Sequence, residues 1–256
     1  MKGFIFDLDG TVYLGDRMID GAAEAIAALR RRGDKVVFLS NSSIAARASY
    51  ARKLTRMGIP TDACDVLNSS LITARYLQKH LPAGSSVYVI GEQPLRDELA
   101  QHGIPLTDEP ERADLAVLSW DRQFTYDKLN ALYQAAVRGA QIVATNPDFT
   151  CPLERGQLPD TGTFIAALEA ATGREIDLIV GKPSLISAQA AMEHLGLDSA
   201  SCYMIGDRLE TDIKMGNDAG MSSVLVLTGV STREMAETAP YRPRYILPSI
   251  KDIVHL

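Results

Sequence analysis

The chain has 256 residues, 46% apolar and 23% charged, with 26 basic side chains against 32 acidic ones for a net charge of −6. This composition excludes a disordered or fibrous chain and leaves room for one large domain or two modest ones. The acidic balance speaks against a nucleic-acid partner, whose binders usually carry a basic face. Cys64, Cys151 and Cys202 are far apart, with no C-x-x-C pair, which suits free thiols in a reducing compartment. His80, His102, His194 and His255 are too scattered for a zinc motif. The apolar stretch at the N-terminus is too short for a signal peptide, and no run approaches the roughly 18 apolar residues of a membrane span. A soluble, cytoplasmic protein with no membrane partner is expected.

Short apolar runs alternate with amphipathic stretches along the chain. The runs are Phe4–Phe6, Val36–Leu39, Val87–Ile90, Leu115–Leu118, Ile142–Ala144, Leu178–Val180, Tyr203–Ile205 and Val224–Leu227. Each is too short for a helix and reads as a buried strand. Ala22, Ile26 and Leu29 follow at helical spacing, with Asp20 predicted as the cap and Gly33 as the stop. Ile44, Ala48, Ala51 and Leu54 repeat the pattern up to Gly58 and Pro60. Arg30-Arg31-Arg32 complements the dipole in the last turn of the first helix and is not read as a basic binding patch. Asn41-Ser42-Ser43 and Asn68-Ser69-Ser70 match the glycosylation pattern by chance. The alternation predicts an α/β protein with largely parallel sheets.

Ligands of such proteins bind beyond the carboxyl ends of the strands. Asp7-Leu8-Asp9-Gly10-Thr11 follows the first run, Ser40-Asn41 the second, Lys182-Pro183 the run ending at Val180, and Gly206-Asp207-Arg208-Leu209-Glu210-Thr211-Asp212 the run ending at Ile205. If these four strands are neighbours in one sheet, several carboxylates, one ammonium and one hydroxyl converge on one edge. Facing carboxylates are costly unless a cation lies between them, and oxygen ligands suit Mg²⁺. The lysine and hydroxyl suit a phosphate, and an aspartate can form a covalent phosphoryl intermediate. Asp7 and Asp9, two apart, would share a face of an extended strand, which fits a nucleophile and a general acid/base.

These four segments resemble motifs one to four of the haloacid-dehalogenase-like phosphatases. Gly216-Asn217-Asp218-Ala219-Gly220, Phe124-Thr125-Tyr126-Asp127-Lys128-Leu129 and Thr145-Asn146-Pro147-Asp148 are similar to the NagD-like branch, which holds p-nitrophenyl phosphatases and sugar phosphatases with a large α/β cap. The resemblance implies a Rossmann-like parallel-sheet core with an inserted α/β cap domain. It implies Asp7 as nucleophile, Asp9 as general acid and base, Ser40 on the phosphoryl oxygens and Lys182 between nucleophile and phosphate. It also implies Mg²⁺ held by Asp7, the backbone carbonyl of Asp9, Asp207 and, in the inner or second shell, Asp212. Asn41 would help position the phosphate or nearby substrate atoms.

The long stretch between Asn41 and Lys182 predicts a core of residues 1–79 and 179–256 and a cap of residues 80–178, with turns for the crossings at Pro82-Ala83-Gly84 and Thr172-Gly173. A loop from Asn146 to Gly162 offers Asn146, Asp148, Thr150 and Asp160 to a substrate and Phe149 as a wall; Trp120-Asp121-Arg122 is a second candidate edge. Where relatives often carry Pro-Gly, this chain has Pro159-Asp160. Cys151 has no nearby histidine and is not read as a nucleophile. A closing cap excludes water and favours small ligands. The expected function is Mg²⁺-dependent hydrolysis of small phosphate monoesters, with sugar phosphates or similar small phosphorylated metabolites as partners. A phosphomutase and a receiver-like phospho-acceptor remain alternatives, and a homodimer remains open.

Overall fold

The computed structural model describes residues 1–152 and 156–256. It divides into two compact units, one of residues 1–40, 47–67 and 182–256, the other of residues 41–46 and 68–181.

The first unit is built on a six-stranded sheet in the order Tyr245–Leu247, Ser222–Val226, Cys202–Gly206, Gly3–Phe6, Lys35–Ser40, Val66–Asn68. The pairings from Tyr245–Leu247 through Lys35–Ser40 are parallel. Gly3–Phe6 and Ser222–Val226 are buried along their whole length, and their apolar parts Phe4–Phe6 and Val224–Val226 read as unbroken runs. Phe6 is level with both Ile205 and Phe38, so the residues that follow all three strands leave the sheet at one edge. Helix Ala22–Arg31 buries Ala22, Ala25, Ile26 and Leu29, one face at 3.6-residue spacing. Its start differs from the expected one. Gly21 turns the chain at φ 83°, so exposed Asp20 stands outside the cap position and no side chain caps the helix. Gly33, at φ 85°, follows the last turn as expected.

The second unit carries a five-stranded parallel sheet in the order Leu178–Ile179, Gln141–Ala144, Leu115–Leu118, Val87–Ile90, Leu106–Thr107. Helices Tyr126–Val137 and Thr161–Thr172 cover it through Leu132, Ala136, Ile165 and Leu168, packed on Ile90, Ala116, Leu118 and Ile142. Phe124 and Phe164 stack with centroids 4.0 Å apart. The run around Leu178 was expected beside the strands of the first sheet. Instead Leu178 and Ile179 pair with Val143 and Ala144. The backbone bonds continue from Val180 to Ala144 and from Gly181 to Thr145, which ties the run to the second sheet up to its last residue.

The division between units also differs from 80–178. Helix Ser69–His80 packs on helix Gln93–Gln101 of the second unit. Three consecutive side chains at its N-terminus hold alternate carbonyls of residues 41–46. Asn68 Nδ2 donates to Ala45 O at 3.2 Å, Ser69 Oγ to Asn41 O at 2.7 Å and Ser70 Oγ to Ser43 O at 3.4 Å. Residues 41–46 are thereby held outside helical structure, and the next helix is Arg47–Arg56, which excludes Ile44. Gly84 and Gly173 make turns inside the second unit, and the chain crosses between units at 40/41, 46/47, 67/68 and 181/182. Asn68 is buried as a helix cap, its Oδ1 accepting from Leu71 N at 3.0 Å, as befits a chance glycosylation match. Among the described residues no helix is long and apolar enough to cross a membrane.

Asn68→Ala removes the cap and the tether to Ala45 together. The expected loss is about 1–3 kcal/mol of unfolding free energy. A urea titration checks it, and an unchanged midpoint would count against the tether.

Candidate active site

Asp7 is the first residue beyond Gly3–Phe6, and its backbone N–H still donates to Ile205 O at 2.9 Å. That bond keeps Asp7 in line with the sheet and carries its side chain to the common edge. Asp207 follows Cys202–Gly206 there, and Asp212 lies on a π-helical turn, Leu209–Ile213. Oxygens of Asp7, Asp207 and Asp212 lie within 4.8 Å of one another. Lys182 Nζ donates to Asp7 Oδ1 at 2.5 Å and to Asp212 Oδ1 at 2.7 Å. Asp207, Asp212 and Lys182 are 1–2% exposed, so their charges have little contact with water. Lys182 reaches this group although its preceding strand belongs to the other sheet, because the chain changes units between Gly181 and Lys182.

A fifth loop completes the edge. It follows Ser222–Val226 and was not singled out in the sequence, although its place after a strand was a readable signal. Val230 N–H donates to Asp207 Oδ2 at 2.7 Å and Ser231 N–H to Asp207 O at 3.0 Å. Ser231 Oγ accepts from Leu209 N at 3.1 Å, and Thr228 Oγ1 donates to Gly10 O at 2.7 Å. Arg208 N–H donates to Asp212 Oδ2 at 3.1 Å. Two glycines lie directly against these carboxylates. A Cβ on Gly206 would fall 2.2 Å from Asp212 Cγ, and one on Gly229 would fall 2.0 Å from Asp207 Oδ2. Gly10 combines such an approach to Asp207 with a φ of 87°.

Burial pushes the Asp7 carboxyl well above the usual carboxylate range; Lys182 opposes this, while Asp212 and Asp207 add to it. Burial, reinforced by Asp212, pushes Asp207 up to about 7. Burial alone would lower Lys182, but Asp212 and Asp7 outweigh it and hold the ammonium above its usual range. One polar atom in the group is unmatched: Asp207 Oδ1 is buried without a hydrogen-bond partner. Three converging carboxylates with an orphaned oxygen fit a hard divalent cation, which takes oxygen ligands and relieves the repulsion. A second group, Asp62, Cys64 and Asp65, precedes strand Val66–Asn68 and is exposed or half-buried, so no comparable burial demands a cation there.

The side chain of Asp9 is not in the buried trio. The strand ends at Phe6, and Val12 N–H turns back to Leu8 O at 2.9 Å, so Asp9 sits in the loop and not on an extended face shared with Asp7. Asp9 is half-buried, and burial pushes its carboxyl up to about 6 against the pull of Lys53, Lys182 and Arg208. Ser40 is the buried last residue of Lys35–Ser40.

Asn41, Asn146, Asp148 and Thr150 lie in the second unit. Asn41 Nδ2 donates to Asp148 Oδ2 at 2.9 Å. Asn146 is buried, its Nδ2 donating to Asp160 Oδ1 and Asp148 Oδ2 while its Oδ1 accepts from Thr145 and Thr161. Asp160 caps helix Thr161–Thr172, which is what this chain builds at the Pro159-Asp160 departure. Thr150 is half-buried in a hairpin opposite Pro159, and neighbouring Phe149 is exposed. Residues 153–155 of the expected loop lie outside the described residues. In the second candidate edge Trp120 is core, Asp121 binds Lys128 at 2.6 Å and Arg122 binds Glu92 at 2.7 Å.

A haloacid dehalogenase-like hydrolase family model matches residues 4–105, and a HAD-hydrolase-like model matches residues 179–253. The chain is 46% identical to the sugar-phosphatase AraL of Bacillus subtilis (strain 168), over 99% of this chain and 92% of that protein. It is 36% identical to the 5′-nucleotidase YutF of the same organism, over 98% of this chain and 96% of that one. The solved p-nitrophenyl phosphatase from Archaeoglobus fulgidus aligns with a TM-score of 0.93 at 34% identity, over 99% of this chain and 98% of that one.

Gly229→Ala places a methyl group where the Asp207 carboxylate now lies. Overpacking of this kind is expected to cost about 1–3 kcal/mol, seen as a lower urea midpoint. A crystal structure of the variant should have Asp207 displaced, and an unmoved carboxylate at unchanged stability would contradict the packing described.

Proposed function

The chain belongs to the haloacid dehalogenase-like hydrolases, and from that membership we propose that it is a phosphatase that hydrolyses small phosphate monoesters by way of an aspartyl phosphate on Asp7. The observation that carries this reading is the buried group of Asp7, Lys182, Asp207 and Asp212 with its orphaned Asp207 oxygen. Asp7, Asp207, Asp212 and the backbone carbonyl of Asp9 are the groups that would hold Mg²⁺, with Asp212 in the inner or second shell. The ion, when bound, supplies positive charge beside the transferring phosphoryl group.

The chain's own residues then divide the work. An Asp7 oxygen attacks phosphorus, the bond from phosphorus to the ester oxygen breaks, and Asp9 gives its proton to the leaving alcohol. Asp9 next takes a proton from water as that water attacks the aspartyl phosphate, which releases inorganic phosphate and restores Asp7. Lys182 keeps the Asp7 carboxylate oriented and adds charge that favours the phosphate. Ser40 donates to the phosphoryl oxygens, and Asn41, the next residue, helps to hold the phosphate. Sugar phosphates are the leading substrate class, in keeping with the sugar-phosphatase relative; the 5′-nucleotidase relative lies in the same wider class of small monoesters.

Asp7→Asn should lower turnover of p-nitrophenyl phosphate at least about 10³-fold while leaving the fold intact. Asp9→Ala should slow loss of a sugar alkoxide far more than loss of nitrophenolate, which needs less protonation. Normal hydrolysis by the first variant would rule out the nucleophile, and equal slowing of both esters by the second would rule out the general acid.

Mg²⁺ should also raise the melting temperature of metal-stripped protein, since a ligand at 100 times its Kd adds about 2.7 kcal/mol to stability. Asp207→Asn should shrink that shift. A shift of undiminished size in the variant would place the ion elsewhere.

A further inference from the structure

We propose that Asp148 is a positioning residue, which acts on the reaction by fixing the side-chain amide of Asn41 and not by reading the leaving group. The inference rests on the proposed role of Asn41 at the phosphate. Its basis is the direction of one hydrogen bond. A carboxylate only accepts, whereas an asparagine amide has a donor end and an acceptor end. Asn41 Nδ2 donates to Asp148 Oδ2 at 2.9 Å. Turned over, the amide would set its carbonyl oxygen against the carboxylate, so Asp148 selects one of two orientations that otherwise differ little in shape. Asn41 Oδ1 is then directed to Gly181, where an added Cβ would lie only 2.7 Å from it.

Asp148 is itself held. The buried amide of Asn146 donates to Asp148 Oδ2 at 3.4 Å and to Asp160 Oδ1 at 3.1 Å. Asn146 Oδ1 accepts from Thr145 Oγ1 at 2.9 Å and from Thr161 Oγ1 at 2.7 Å. This anchors the Asp148 loop to the end of strand Gln141–Ala144 and to the start of helix Thr161–Thr172. The backbone of Asn41 is fixed separately by Ser69 Oγ, which donates to its carbonyl.

The test is a double-mutant cycle on Asn41→Ala and Asp148→Ala, with Asp148→Asn as the conservative variant, all assayed on p-nitrophenyl phosphate and a sugar phosphate. Asp148→Ala should lower kcat/KM by roughly tenfold or more, the scale of a hydrogen bond to a charged acceptor, and equally for both esters. The double variant should be no worse than Asn41→Ala, and Asp148→Asn, whose amide can accept from or donate to Asn41 and so no longer selects one orientation, should lose activity equally for both esters. Losses that depend on the leaving group, losses that multiply in the double variant, or an Asp148→Asn variant as active as the wild type would each overturn the proposal. NMR of the Asn41 side-chain amide protons without substrate separates this from the proposed reaction. Those resonances should move in Asp148→Ala whether or not the protein turns over, and unmoved resonances would overturn the positioning role. Wild-type protein that hydrolyses neither ester would instead sink the phosphatase reading, while the NMR result would still decide the bond.

Discussion

Ionised together, Asp7, Asp207 and Asp212 place three negative charges at one buried edge against the single positive charge of Lys182. Water cannot screen them, since three of the four groups are almost wholly buried. In that setting an unpaired charge is expensive, and Lys182 alone leaves a surplus of two negative charges. A divalent cation is the simplest group that removes this surplus while using the orphaned Asp207 oxygen. The surrounding structure keeps the carboxylates together in spite of their repulsion, and most of its local features can be understood from that task.

Parallel pairing contributes first. Because Gly3–Phe6 is flanked on both sides by parallel strands in level register, the loops that follow emerge side by side. Backbone N–H groups contribute next: those of Val230 and Arg208 each hold one carboxylate oxygen, and they do so without adding a side chain to a crowded edge. Gly206 and Gly229 leave the space that the carboxylates occupy. The π-helical turn at Leu209–Ile213 brings Asp212 back toward the sheet edge that Asp207 has just left. These devices act on the position of charge, which is the quantity that an electrostatic site must control most closely.

Eight of the eleven strands of the two sheets were legible because buried parallel strands need continuous apolar runs, whereas the edge strands Val66–Asn68, Leu106–Thr107 and Tyr245–Leu247 are only two or three residues long and do not stand out from their surroundings. The sheet to which each belongs was less legible. Leu178–Ile179 is only two residues long, and its pairing with Gln141–Ala144 is set by backbone bonds that leave no mark on side-chain pattern. The compact units fall at other residues than 80–178 for a similar reason: Asn68, Ser69 and Ser70 read as an ordinary helix start, while their second task, holding the carbonyls of residues 41–46, depends on which segment happens to lie beside them. In the site, Asp7, Lys182, Asp207 and Asp212 were all readable from their order after strands. Val230 was not, because its contribution is a backbone N–H that any residue but proline could supply. The polar residues of the loop after Ala144 read as candidate substrate contacts, and only the packing adds that the Asn146 amide is hydrogen-bonded to Thr145, Asp160 and Thr161.

Asp7 and Asp9 are the same residue type two positions apart, yet they occupy different surroundings. Asp7 is continuous with the sheet, touches Lys182 and faces two further carboxylates, so it sits at the centre of the charged group. Leu8 then buries its side chain and takes three backbone N–H groups on its carbonyl, which ends the extended course of the chain. Asp9 is thereby turned out of the buried trio and left half-buried in the loop. A carboxylate fixed against an ammonium is suited to attack, because it is held oriented. A carboxyl group outside that pairing is suited to exchange protons, and burial pushes that of Asp9 up to about 6. Two carboxylates given separate environments can therefore take separate roles, and here the separation is made by a single buried leucine and the turn that follows it.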